Sequence, residues 1–144
     1  MSYPFLNKNS KWVKTMQEIQ KKTEKSLYER LGGYDMIARV VNDYVSSIRA
    51  DPQFSRLSGG RSTDSKNRAV QLNIDILCVL TGGSCYYMGR DMKTAHSGLG
   101  ITESEWEANM RYIAEALDKS RVPKKEKEEV LTIVEGLKRD IVEK

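Results

Sequence analysis

The chain has 144 residues, 39% hydrophobic and 31% charged, a size and composition that fit one soluble globular domain and exclude a disordered chain. Its longest apolar run, Ile74 to Leu80, contains Asp75 and falls far short of the roughly 20 residues a membrane span needs. The net charge of +4 sits at the front: the first 30 residues hold seven Lys or Arg against three Glu, and the remainder holds 17 of each. The plainer reading of that basic segment is a solvated helix face, ahead of contact with an anionic membrane or nucleic acid. Met1 to Leu6 lacks the charged and apolar regions of a secretory signal.

In chain order, Asn9 to Leu31 is rich in Lys, Gln and Glu, with Trp12, Met16 and Ile19 at helical spacing, and predicts a leading helix. Gly32 and Gly33 interrupt it. Ile37, Val40, Val41, Tyr44, Val45 and Ile48 then recur at steps of three and four until Asp51 and Pro52 end a second helix. Ser58 to Ser65 reads as a loop.

A central helix is expected from about Lys66 to Leu80. It has one stripe of Val70, Ile74, Leu77 and Leu80, a neighbouring one of Ala69, Leu72, Ile76 and Val79, and Gln71, Asp75 and Cys78 on the remaining side. Gly82 and Gly83 stop it, and a loop with Tyr86, Tyr87 and Gly89 leads to a short segment, Arg90 to Leu99. Thr102 and Glu105 form a capping box for a helix carrying Trp106, Met110, Ile113, Ala114 and Leu117, with Trp12 and Trp106 read as core residues. Pro123 opens a last helix that runs through Val130, Leu137 and Val142. No stretch alternates with period two, so the expected class is all-α.

Cys78 and Cys85, seven residues apart, are close enough for a disulfide, but Cys78 inside an apolar helical run favours free thiols in a reducing cytoplasm, the expected location. His96 is the only histidine, and Met92, His96 and Leu99 fall on one face at steps of four and three. A nitrogen donor on an apolar face fits an axial ligand of a flat hydrophobic macrocycle. By itself such a histidine is far more often a core or surface residue.

The string from Gly82 to Trp106, GGSCYYMGRDMKTAHSGLGITESEW, resembles the proximal region of group 1 truncated haemoglobins, and LYERLGGYDMIARVVNDY, from Leu27 to Tyr44, resembles the family's opening helices. The resemblance implies a two-over-two helical sandwich around haem b in residues 27–144, preceded by a basic helical extension in residues 1–26. It makes His96 the iron ligand, and Met92, Leu99, Tyr87, Leu77 and Ile101 candidates for contact with the haem. Arg90 and Lys93 become candidate partners of its propionates; a solvated face explains these two as well. With one histidine, ligation by two histidines within one chain is impossible, and the sixth position is left to external ligands, water, or a weaker group such as Tyr44 or a lysine.

On the ligand side the chain departs from the family pattern. The position of the family's ligand-binding tyrosine falls on Val45, with Tyr44 one residue before it, so either Tyr44 turns into the pocket or bound oxygen lacks a phenol donor. The facing glutamine position falls on Asn73, expected to point inward near Ala69; an Asn satisfied by backbone is the structural alternative. The family's corner aromatic is replaced by Leu57 and Ser58, with Phe54 close enough to substitute. The resemblance implies reversible binding of O₂ or NO and oxidation of NO to nitrate, supported by a reductase. The alternative is a haem-based gas or redox sensor, or a partner-binding module, that uses the basic leading helix.

Overall fold

The computed structural model describes residues 10–15 and 24–144, all of whose regular structure is helical. Helix α1 includes residues 11–15. The remainder are α2 (Leu27–Leu31), α3 (Tyr34–Ala50), a 3-10 turn at Pro52–Phe54, α4 (Ser55–Ser58), α5 (Thr63–Leu80), α6 (Met92–His96), α7 (Glu103–Lys119), α8 (Lys124–Glu135) and α9 (Lys138–Ile141).

The boundaries follow local chemistry. The single leading helix expected from Asn9 to Leu31 is not continuous. Ser26 is extended, and its side chain accepts from the Glu29 N–H, so it caps a new helix instead of continuing an old one. Met16 and Ile19 lie outside the described residues. Trp12 is 57% exposed, which corrects its reading as a core residue, whereas Trp106 is buried. Helix α5 starts earlier than expected because Ser62 caps it through the Ser65 N–H. The capping box of Thr102 and Glu105 is present in full, with both reciprocal bonds formed. The last helix is interrupted at Gly136 and resumes as α9.

Helix α3 packs on both α5 and α7, and α7 packs on α8, which makes two helix pairs stacked through α3 and α7. One apolar cluster joins Leu27, Leu31 and Val40 to Ile113, Leu117 and Val130; a second joins Ile37 and Val41 to Ile74 and Cys78. A third, of Ile101, Trp106 and Ile141, holds the C-terminal segment against the start of α7. Among the described residues no helix is long and apolar enough to cross a membrane.

Cys78 overturns two expectations. It is fully buried against α3, on the face of Ile74 four residues earlier, and not on the polar side with Gln71 and Asp75. It is also bonded to Cys85, with Cα atoms 6.0 Å apart, so neither thiol is free and the ground for inferring a reducing compartment is gone.

Candidate haem site

His96 closes α6, a five-residue helix whose start is capped by Asp91 through the Thr94 N–H. Its Nδ1 lies 2.8 Å from the Met92 carbonyl. A carbonyl only accepts, so Nδ1 carries the proton and Nε2 keeps its lone pair for a ligand. The ring is half-buried.

The shared face expected for Met92, His96 and Leu99 does not form. Helix α6 ends at His96, and Leu99 lies in the turn beyond it, its N–H bonded back to the His96 carbonyl at 3.2 Å. Leu99 is 41% exposed, whereas Met92 packs toward Ile101, Trp106 and Ile141. Ile101 is buried in that cluster. Tyr87 donates to the Arg90 carbonyl at 2.5 Å and lies over Gly89, so its loop is internally packed. Arg90 and Lys93 are exposed on either side of Asp91.

A second apolar surface lies on α5. Its Ile74 and Cys78 face is consumed by α3, and Leu77 bridges the first two clusters. Ala69, Leu72, Ile76 and Leu80 lie outside all three clusters and are only half-buried. An apolar stripe unmatched by protein, on a helix otherwise packed on α3, is the surface a flat apolar group requires. Asn73, expected to point inward, is exposed and donates Nδ2 to the Ala69 carbonyl at 2.8 Å, the backbone-satisfied alternative.

Tyr44 turns the other way. It packs with the α7 and α8 cluster and donates its hydroxyl to Asn109 Oδ1, and burial pushes its phenol pKa up. Val45 packs beside the Ile74 and Cys78 cluster, and Phe54, 5% exposed, is buried at the corner after α3. Asn109 was not singled out from sequence, since nothing local marks a partner 65 residues away.

A histidine whose Nδ1 is bonded to a carbonyl, and a half-buried apolar stripe on α5 outside the core clusters, are groups of the kind that fit a haem. Two stacked helix pairs carrying such an imidazole define a globin of the truncated, two-over-two kind, a class that binds haem.

The chain belongs to the bacterial-like globin family, whose model matches residues 26–143. It is similar to the group 1 truncated hemoglobin GlbN of Mycolicibacterium paratuberculosis, 29% identical over 129 residues that cover 90% of this chain and 93% of that protein. It is similar also to the group 1 truncated hemoglobin of Tetrahymena pyriformis, 25% identical over 119 residues, covering 83% and 96%. The fold matches the crystal structure of the Tetrahymena pyriformis protein in its Fe(III) form with a TM-score of 0.75 at 23% identity, over 83% of this chain and all of that one. It matches the 2/2 hemoglobin from Synechococcus, solved with covalently attached heme, with a TM-score of 0.73 at 25% identity, over 82% and 98%.

Proposed function

We propose that the protein holds haem b through Nε2 of His96, binds O₂ or NO reversibly on the opposite side, and oxidises NO to nitrate. The observation that carries the reading is the hydrogen bond from Nδ1 of His96 to the Met92 carbonyl, which orients the ring and raises the basicity of Nε2. When bound, haem iron supplies an open position for the diatomic ligand and the one electron that converting NO and O₂ to nitrate requires, which a reductase returns.

The chain's own residues tune the ligand side. Ala69 presents a small apolar group there, while Val45 is taken up by the packing of α3 on α5. Tyr44 is committed to Asn109, so the donor for a bound ligand is Asn73, whose amide keeps a second N–H beyond the one given to Ala69. Absorption spectra of the haem-reconstituted protein beside His96→Ala test the reading: a sharp Soret band lost or shifted in the variant supports it. Steady-state NO consumption no faster than that of free haemin would sink the catalytic part.

A second reading has its own observation. Trp12 stands exposed between Lys11 and Lys14, a basic and aromatic surface suited to a partner or lipid headgroups and to a sensor that reports haem ligation. Deleting residues 1–26 separates the two: lost partner or lipid binding with unchanged turnover favours the sensor.

A further inference from the structure

The turn that follows His96 is gripped by side chains from two distant parts of the chain. From α4, Arg56 donates Nη2 to the Leu99 carbonyl at 3.2 Å, while its fork holds the Glu105 carboxylate through Nη1 and through Nη2, the latter at 2.9 Å. Glu105 is 6% exposed, and its Oε1 also accepts from the Thr102 N–H at 3.0 Å and the Thr102 hydroxyl at 3.2 Å. The guanidinium is thus docked on a carboxylate that cannot move without uncapping α7.

From the C-terminal end, the Glu143 carboxylate accepts the N–H groups of Gly98 at 3.1 Å and Gly100 at 2.9 Å. Both glycines have positive φ, +82° and +64°, a backbone that turns nearby N–H groups toward one anion. The N–H groups of Glu143 and Lys144 both donate to the Ile101 carbonyl, at 2.9 and 3.1 Å.

We propose that Arg56 and Glu143 are positioning residues for the His96 imidazole, clamping residues 98–100 from two sides and so setting the depth and tilt of Nε2. The inference rests on the haem reading above. A five-residue helix does not hold its own geometry; α6 leans on α9 along its length, and the turn clamped by Arg56 and Glu143 follows directly on His96 at its end. Arg56 also lies between Phe54 and Leu57, so one side chain ties the corner after α3 to the segment carrying the iron ligand.

The test uses the full chain reconstituted with haem. Arg56→Lys keeps the charge but loses the fork, and Glu143→Gln keeps the shape but weakens the grip on the two N–H groups. The readouts are the iron–histidine stretching band of the ferrous protein and the rate of haem transfer to an acceptor apoglobin. Both variants are expected to shift or broaden the band and to speed haem transfer roughly tenfold. An unchanged band and transfer rate in the folded variants overturn the proposal even if their melting points fall, which is all a purely structural staple would cause. Should Arg56→Lys fail to fold, Glu143→Gln decides alone. A wild type with no band that disappears in His96→Ala fails at the haem reading and takes the clamp with it, an outcome distinct from a normal wild-type band that neither variant moves.

Discussion

Where a phenol or an amide points depends on which partner satisfies it, and two residues illustrate this. Tyr44 stands next to Val45, where the family resemblance implies a ligand-binding tyrosine, yet Asn109 on α7 takes its hydroxyl. Tyr44→Phe is therefore expected to leave ligand dissociation unchanged while costing about 1–3 kcal/mol of stability, because the Asn109 carbonyl loses its partner; urea titration and O₂ dissociation kinetics measure the two effects separately. Asn73→Ala should do the reverse. Losing one neutral hydrogen bond to the ligand, worth about 0.5–1.5 kcal/mol, speeds O₂ dissociation several-fold with little change in the urea midpoint, and an unaltered rate would remove Asn73 from the ligand side.

At the scale of elements, the connection from α5 to α6 is organised by a disulfide and a close approach. Cys78 is buried and Cys85 half-buried, and their bond closes a short loop, so Cys85→Ser should lower stability by about 2–3 kcal/mol on loop-entropy grounds, measured by denaturation with the wild type kept oxidised. Gly83 sits where a Cβ would meet Cys78 Sγ at 2.6 Å and the Tyr28 ring at 2.7 Å. Gly83→Ala should consequently cost about 1–3 kcal/mol by displacing that packing, and a neutral thermal melt would show that the Tyr28 ring moves freely.

Over the whole molecule, several junctions between elements share one sign of pH dependence. Hydrogen bonds from Arg56 hold Glu105 below the usual carboxylate range, those from Arg30 do so for Glu129, and the Gly100 and Gly98 N–H groups do so for Glu143. A depressed folded-state pKa contributes stability that is complete above the unfolded value, near 4.5, and is lost as pH falls through the folded value. Thermal midpoints should hold steady from neutral pH down to about pH 5 and then drop, and Glu105→Gln should blunt the drop from a lower starting stability. A midpoint that stays flat below pH 4 would mean these pairings do not join the halves of the fold.

The local pattern of residues was enough for the helical class, the ends of α3, the capping box that starts α7 at Thr102 and the singling out of His96, because helical periodicity, caps and a unique side chain are properties of neighbours along the chain. It placed Cys78 on the wrong side of α5 and predicted free thiols, because the face that packs on α3 is chosen by a partner helix and the bond by the folding back of a loop. It left open the direction of Tyr44, carried α6 on to Leu99, and gave no sign of Asn109, Arg56 or Glu143 in their present roles. Those depend on contacts that cross 65, 49 and 45 residues of chain, distances over which only the packed tertiary structure brings donors to acceptors.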